Sequence, residues 1–136
     1  MSRIAVLDAS AVIAFLQGEP GHNMVRQVLR EGRCVVSAVN QCEIIAKCVD
    51  RGMDRDVIQM VLAELDYKVA DVTAQDGENA GWLRAQTRAI GLSLGDRMCL
   101  ALAQRLQAVV LTADRPWLTL VQQTGLDIRC IREAAH

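Results

Sequence analysis

Five short, mainly apolar runs, each separated from the next by sequence with helical character, dictate the fold of this chain. The runs cover residues 3–7, 34–37, 67–72, 108–112 and 128–131. Short apolar runs between helical patterns are typical of strands, and strands apolar on both faces occur where helices cover both sides of a parallel sheet. The chain is therefore predicted to adopt an α/β fold, a single three-layer domain with a parallel sheet between helices.

Four segments between these runs have the periodicity of helices. They cover residues 38–51, 54–65, 73–89 and 95–107, and a further helix is expected to start at Asp8. The first two segments form a helical hairpin, interpreted either as a dimer or partner surface or as a layer packed on its own sheet. Helical periodicity predicts that the apolar face of its first helix consists of Val39, Cys42, Ile45, Ala46 and Val49.

The composition excludes several classes of protein. The chain of 136 residues has the size of one domain, and we expect residues 1–136 to form it. Its 15 Lys and Arg nearly balance 16 Asp and Glu, so bulk charge does not indicate a nucleic-acid binder. Five cysteines without a C-x-x-C spacing predict reduced core residues, and two histidines, His22 and His136, argue against a zinc site. Without a signal peptide or a run of membrane-spanning length, we expect a cytoplasmic protein with no membrane partner.

Four acidic residues differ from the solvated surface charges because they border apolar segments. Asp8 ends the first predicted strand and Asp114 follows the fourth, whereas Asp96 begins a predicted helix and Glu43 lies on about the second turn of another. Each alone has an ordinary explanation, since aspartates at such positions often cap helices and a glutamate on a helix is usually solvated. The joint pattern is what indicates a site.

Topology is expected to bring the four acids to one edge of the sheet. In a parallel sheet with helical crossovers, strands end and helices begin at the same edge, and ligands bind there. Helical side chains lean toward the helix N-terminus, so Glu43 can reach this edge from its second turn. Carboxylates that converge repel one another unless cations compensate them, and such oxygen ligands suit Mg²⁺ or Mn²⁺. The predicted metal ligands and catalytic residues are therefore Asp8, Glu43, Asp96 and Asp114.

Polar neighbours of these acids are candidates for supporting and substrate-binding roles. Ser10 and Thr112 carry hydroxyls close to two of the acids, where they either support the site or cap a helix and a strand end. Arg97 and Arg115 each follow a predicted ligand and are the best candidates for binding a substrate phosphate, although scattered solubilising charge explains the other arginines equally well. The expected chemistry is metal-assisted attack of water on a phosphodiester.

Four segments in series resemble the PIN domain, and specifically the VapC toxins of bacterial toxin–antitoxin pairs. The resemblance covers nearly the whole chain, in the family's order and spacing. It implies a parallel sheet between helices, dependence on Mg²⁺ or Mn²⁺, and endonucleolytic cleavage of a structured RNA such as a tRNA or ribosomal RNA. It also implies a homodimer and a cognate antitoxin whose C-terminal segment blocks the active site. The segments are VLDASAVI (6–13), SAVNQCE (37–43), LSLGDRMCLALA (92–103) and LTADRPW (111–117).

The resemblance assigns the four acids, in chain order, to the family's four acidic positions. The small polar residues that accompany those acids correspond to Ser10, Asn40 and Thr112. One departure is Gly95, which stands where relatives often have alanine and is expected to loosen the entry to the Asp96 helix without removing a ligand. The last acid is the least uniform feature of such domains, so Asp114 is the weakest ligand assignment.

Other interpretations stay open on the sequence alone. A phosphatase of the haloacid dehalogenase type also begins with a strand ending in aspartate, but it needs a second aspartate two residues on, where Ser10 stands. A receiver module of response regulators needs a lysine near its last strand, and residues 112–114 contain none. A PIN-like module that binds without cutting would not need all four acids. A PIN nuclease that processes RNA outside a toxin–antitoxin pair would need them all.

Overall fold

The five predicted strands are present and form one parallel sheet. The computed structural model describes residues 3–133, so His136 and both ends of the predicted 1–136 domain lie outside the described residues. The strands are β1 (Ala5–Leu7), β2 (Cys34–Ser37), β3 (Tyr67–Ala70), β4 (Val109–Thr112) and β5 (Ile128–Cys130). Their order is β3-β2-β1-β4-β5, and each neighbouring pair is parallel. The predicted parallel sheet is confirmed.

The strand order places a crevice at the carboxyl ends of β1 and β4. From β1 the chain moves outward to β2 and β3, and it then returns to β4 on the other side of β1. Ligands in parallel sheets bind at such a change of direction. Leu7 pairs with Leu111, and the Asp8 amide donates to the Leu111 carbonyl at 3.1 Å. Asp8 and Thr112 therefore leave the two central strands side by side at this edge.

Helices connect the strands and cover both faces of the sheet. The four helical segments predicted from periodicity match α3 to α6 to within two residues at either end. Short 3₁₀ turns also occur at Arg88–Ile90 and Arg115–Leu120. The α-helices are α1 (Ala9–Gln17), α2 (His22–Arg30), α3 (Ala38–Asp50), α4 (Arg55–Ala63), α5 (Ala74–Thr87), α6 (Leu94–Leu106) and α7 (Val121–Thr124).

Two helical segments are not evident from the sequence. Helix α2 buries only Val25 and Leu29, one turn apart. Its N-cap is Gly21, which has a φ of 95° and offers no capping side chain. Two apolar positions give too little periodicity to detect a helix. The segment from Arg115–Leu120 to α7 changes from 3₁₀ to α geometry, so it follows neither helical period for long.

The core divides into two clusters, one on each face of the sheet. Alternate residues of β1 enter different clusters, because successive strand side chains point to opposite faces. Ala5 and Leu7 pack with α1, α2 and α3, whereas Val6 packs with α5 and α6. Both faces of the two central strands are buried. This explains why their sequences are continuous apolar runs.

The predicted apolar face of α3 is wrong. Its buried residues are Asn40, Ile44 and Cys48, whereas Ile45 is 39% exposed and Val49 is 56% exposed. Helix α3 carries apolar residues on most of its circumference, so periodicity cannot tell which stripe faces the core. The buried side of the helix includes an asparagine, Asn40, which hydrophobic periodicity does not place in a core.

The structure bears on the expected burial of the cysteines and on the expected absence of a membrane-spanning segment. The five cysteines are free thiols, and Cys34, Cys48 and Cys99 are buried as predicted. The prediction fails for Cys42, which is exposed, because it lies on the misassigned face of α3. Among residues 3–133, no helix has both the length and the apolar character needed to cross a membrane.

Candidate metal centre at the carboxyl edge of the sheet

Asp8 is buried directly after β1, at the carboxyl edge of the sheet. Its carboxylate caps α1 by accepting a hydrogen bond from the Ala11 amide at 2.8 Å. The Ser10 hydroxyl lies 2.8 and 2.9 Å from the two carboxylate oxygens, and the Thr112 hydroxyl donates at 2.5 Å. Asp8 is thus a helix cap, as the ordinary explanation predicted. It is also held by hydroxyls from two different elements.

The Asp8 carboxyl group lacks a compensating positive charge. Among residues 3–133, no lysine, arginine or histidine forms a hydrogen bond or ion pair with it. Burial raises its pKa to about 6, against the hydrogen bonds from Thr112, Ala11 and Ser10, and the negative charge of Asp96 adds to the rise. A carboxylate in this state favours any cation that can reach it.

Asp96 reaches the same edge from the first turn of α6. The helix is capped by Ser93, whose hydroxyl accepts from the Asp96 amide at 3.2 Å, while Asp96 Oδ2 accepts from the Ser93 amide at 3.0 Å. This reciprocal pair is a capping box, which the S-x-x-D spacing of residues 93–96 could have predicted. Sequence reasoning missed Ser93, and the helix starts at Leu94 instead of Gly95.

Glu43 lies between α3 and α6, partly buried. Its Oε1 accepts a hydrogen bond of 2.7 Å from Asn40 Nδ2, one turn earlier on α3. The same Asn40 amide nitrogen lies 3.2 Å from the Gly95 carbonyl oxygen of α6. Asn40 itself is fully buried. It therefore links the predicted ligand on α3 to the helix that carries Asp96.

The thiol of Cys99 lies within the electrostatic influence of three of the predicted acids. This thiol is buried on α6, and burial raises its pKa well above the ordinary value. The negative charges of Asp8, Asp96 and Glu43 each raise the pKa of Cys99 further. All three carboxylates are therefore close enough to act on the same sulfur atom. That these three acids share a metal ion stays a prediction, and sequence reasoning assigned Cys99 only a core role.

Asp114 differs from the other three acids. It is exposed, it precedes the 3₁₀ turn Arg115–Leu120, and its carboxylate accepts a hydrogen bond of 3.1 Å from the Trp117 indole nitrogen. Its amide donates to the Thr112 hydroxyl at 3.0 Å, which links it to Asp8 through the backbone rather than through its own carboxylate. The role of Asp114 as a direct ligand stays a prediction.

Donor chemistry at this edge fits a hydrated divalent cation. Within the described range 3–133, no three His, Cys, Asp or Glu side chains lie close enough together to enclose an ion directly. Magnesium usually keeps several of its waters and uses one or two carboxylates, so a looser set of oxygen ligands suits it. In the predicted site, Asp8, Asp96 and Glu43 would supply the oxygen donors and the negative field for such an ion.

The two arginines predicted to bind substrate lie in different environments. The Arg97 guanidinium donates to the Ala80 carbonyl of α5 at 3.0 Å, and its Nε is buried without a hydrogen-bond partner in residues 3–133. Arg97 thus packs between α5 and α6 in this conformation. Arg115 is exposed, and its guanidinium lies 3.3 Å from the Arg132 carbonyl oxygen. A role in substrate binding stays a prediction for both.

Solved structures with the same fold include one described as a toxin–antitoxin complex and others described as VapBC and FitAcB. A toxin–antitoxin complex from Klebsiella pneumoniae contains a chain with 16% identity and a TM-score of 0.73, and the match covers 96% of this chain and 99% of that one. DNA-bound VapBC from Salmonella typhimurium gives 20% identity and a TM-score of 0.67, with coverages of 96% and 99%. FitAcB from Neisseria gonorrhoeae gives 13% identity and a TM-score of 0.67, with coverages of 94% and 98%. At these identities the likeness establishes the fold alone.

Family membership comes from the sequence match. No curated protein sequence matches the chain significantly. Residues 5–119 match the sequence model of the family described as PIN domain, and this range contains β1 to β4 and all four predicted acids. The resemblance stated from the four motifs is confirmed, and the chain belongs to the PIN domain family.

Proposed function

We propose that this chain is a Mg²⁺- or Mn²⁺-dependent endoribonuclease that acts as the toxin of a toxin–antitoxin pair. PIN domains are a family of nucleases, and the chain carries the acids that such chemistry needs. The observation that carries the proposal is the state of Asp8, which is buried and uncompensated by protein cations in residues 3–133, with Asp96 and Glu43 nearby. A protein keeps such a carboxylate where a ligand supplies the positive charge.

Each residue of the site has a distinct task in this proposal. Asp8, Asp96 and Glu43 would hold the cation, which when bound lowers the pKa of a water molecule and favours its attack on a phosphodiester. Ser10 and Thr112 fix the Asp8 carboxylate through their hydroxyls. These contacts hold the oxygen atoms in place before a ligand arrives, which reduces the entropy lost on binding.

RNA recognition is proposed to depend on shape and backbone rather than on base stacking. The chain has four aromatic residues, of which Trp117 is buried and Phe15 and Tyr67 are partly buried. Trp82 is 77% exposed and is the aromatic side chain most available to a base. Proteins that stack on single-stranded RNA use several exposed aromatic side chains. A structured RNA, such as a tRNA or ribosomal RNA, is therefore the proposed substrate.

A cognate antitoxin and a second copy of the chain are the proposed protein partners, and the cytoplasm is the proposed location. Three of the similar solved structures are described as a toxin–antitoxin complex or as VapBC. An apolar groove of about 860 Å³ between α3 and α4 supports a protein partner, since large exposed apolar surfaces commonly mark such contacts. The groove is lined mainly by Ile45, Val49, Met53, Ile58, Leu62 and Tyr67.

Cleavage of purified RNA tests the nuclease proposal. Total RNA incubated with the protein should be cut in Mg²⁺ or Mn²⁺ and left intact in excess EDTA. Asp96→Asn should fold normally and lose cleavage, because the amide keeps the side-chain shape without the charge. Asp50→Asn, the same change at an exposed position of α3, is the matched control and should cut normally. Full activity of folded Asp96→Asn, or unchanged cleavage in EDTA, would overturn the mechanism.

Expression in bacteria tests the toxin role separately. Induction of the wild-type chain should arrest growth, and co-expression of the adjacent small gene should restore it. Asp96→Asn should be harmless at the same level of soluble protein. Normal growth with abundant soluble wild-type protein would contradict the toxin role. If that protein still cut RNA in vitro, the chain would be a PIN nuclease that processes RNA outside a toxin–antitoxin pair.

A further inference from the structure

The Glu43 carboxylate fills the space that a side chain at position 95 would occupy. A Cβ built on Gly95 would lie 2.5 Å from Glu43 Oε1 and 2.6 Å from both its Cδ and Oε2. Those separations are far below van der Waals contact. The backbone of α6 and the end of Glu43 are thus in contact only because residue 95 has no side chain.

Asn40 holds the carboxylate in this space. Its amide nitrogen points to Glu43 Oε1 and to the Gly95 carbonyl, at 2.7 and 3.2 Å. Both partners are hydrogen-bond acceptors, so the amide orientation is fixed by chemistry: its NH₂ group must face them. Asn40 is fully buried, and its Oδ1 has no partner in the described part of the chain. The protein thus retains a buried polar group with an unsatisfied oxygen in order to make these two contacts.

We propose that Gly95 and Asn40 are positioning residues for the metal centre. This inference rests on the proposed function, because it concerns the ion that Asp8, Asp96 and Glu43 would share. Gly95 provides the space, Asn40 provides the hydrogen bond, and together they fix Glu43 relative to the Asp96 helix before an ion binds. Groups that orient a ligand in this way contribute to metal affinity without touching the ion.

Helix stability does not explain the glycine. Alanine forms helices better than glycine, and Gly95 lies inside α6 with no positive φ that would require glycine. The clash of an alanine would fall on the flexible end of Glu43 rather than on backbone. Gly95→Ala should therefore fold well and displace the Glu43 carboxylate from Asn40. The methyl group of Gly95→Ala is therefore expected to weaken metal binding without lowering the stability of the fold.

Calorimetric titration with Mn²⁺ tests the inference in a double-mutant cycle of Gly95→Ala and Glu43→Ala. In the wild-type background, Gly95→Ala should raise the Kd for Mn²⁺ about tenfold. In the Glu43→Ala background it should leave the Kd unchanged, because no carboxylate remains to be displaced. Thermal unfolding in EDTA should give Gly95→Ala a Tm no lower than that of wild type. An equal Kd for wild type and Gly95→Ala, or the same loss in both backgrounds, would overturn the inference.

Asn40→Ala and Asn40→Ser provide the second arm. Each should raise the Kd for Mn²⁺, and adding Gly95→Ala to either should cause little further loss, because both changes act through the position of Glu43. If Asn40→Ala fails to fold, Asn40→Ser keeps a small polar group at this buried position. Fully additive losses would contradict the shared role. A wild-type protein that binds no Mn²⁺ would overturn the proposed function as well. If wild type binds Mn²⁺ and Gly95→Ala leaves the Kd unchanged, this inference alone would be overturned.

Discussion

Asp8 and Asp76 are both 2% exposed and both hydrogen-bond to backbone amides at the start of a helix, but their charges are compensated in different ways. At Asp76, burial alone would raise the pKa, but Arg105 and the Thr73 amide outweigh it and lower the pKa. Arg105 Nε lies 2.9 Å from Asp76 Oδ1, and its NH2 lies 3.0 Å from Oδ2. At Asp8 burial prevails and the pKa is raised to about 6.

The comparison separates a structural carboxylate from a functional one. Asp76 is neutralised within the protein, so its charge stabilises the packing of α5 against α6 and needs no ligand. Within residues 3–133, Asp8 is held only by neutral donors, so its charge remains available to an ion from solution. A buried acid with a protein cation is a common structural device, whereas one without is a candidate binding group. Removing the charge of Asp8 should therefore reduce activity. Disrupting the Asp76 ion pair should instead reduce stability and leave activity unchanged.

The largest expected difference is in catalysis. Asp8→Asn should reduce RNA cleavage at least about a hundredfold, more than groups that merely orient a ligand, because it removes the central charge. Asp76→Asn should leave the rate per folded molecule unchanged. Cleavage of a labelled RNA at saturating Mn²⁺, normalised to the folded fraction from circular dichroism, measures both. Equal losses of activity in the two variants would break the comparison.

The free energy of unfolding should depend on the Asp76 ion pair, although activity does not. Arg105→Ala leaves the buried Asp76 carboxylate without its cation and should lower the free energy of unfolding by about 1–3 kcal/mol. Arg84→Ala, an exposed arginine on α5, is the matched control and should change it little. Urea denaturation in EDTA provides the measurement. If the two variants were equally stable, the ion pair between α5 and α6 would have no structural role.

Removal of one hydroxyl sharpens the account of Asp8. Thr112→Val keeps the side-chain shape but removes a hydrogen bond that lowers the Asp8 pKa, so the carboxyl group holds its proton more strongly. The Kd for Mn²⁺ near neutral pH should rise about tenfold. Thr87→Val, which alters an equally buried hydroxyl bonded to the Leu83 carbonyl in α5, is the control. Identical Kd values for Thr112→Val and wild type would contradict the role of the hydroxyl.

The smallest expected effect is the response of the metal-free protein to pH. The pKa of Asp8 is about 6 in the folded state and about 3.8 when unfolded, so between these values the folded chain binds a proton that the unfolded chain does not. The free energy of unfolding should therefore rise by about 1 kcal/mol as the pH falls from 7.5 to 5. Below pH 4, Asp76, whose folded pKa is lowered, acts in the opposite direction.

Urea denaturation in EDTA at several pH values measures this response. Asp8→Asn is the control. Its free energy of unfolding should lack this rise at low pH, because an asparagine cannot take up the proton. Stability that changes identically with pH in wild type and Asp8→Asn would show that Asp8 is not the titrating group.

The sheet and the place of Asp8 at its carboxyl edge were predictable because they depend on local patterns and parallel topology. Short, mainly apolar runs predicted all five strands, and the strand ends then placed Asp8 beside Thr112. The side chains whose orientation depends on packing were not predictable. The hydrogen bond from the Trp117 indole to the Asp114 carboxylate depends on the 3₁₀ turn after Asp114, and no local pattern indicated it.

The orientation of α3 and the Asp76 pair show the same limit. The exposed face of α3 was assigned to the core because apolar residues surround the helix, while the buried stripe includes Asn40. The ion pair of Asp76 and Arg105 joins residues 29 positions apart on two packed helices. The T-x-x-D spacing of residues 73–76 could have predicted a helix cap at Asp76, but no local pattern indicates its pairing with Arg105.

Diffraction from a crystal soaked in Mn²⁺ tests the central claim most directly, because the anomalous signal of manganese locates the ion. The account predicts a peak at the carboxyl edge of β1, contacted by Asp8 and Asp96 directly or through water, and no peak at Asp76. A peak only elsewhere on the molecule, or none at a Mn²⁺ concentration that supports cleavage, would contradict it.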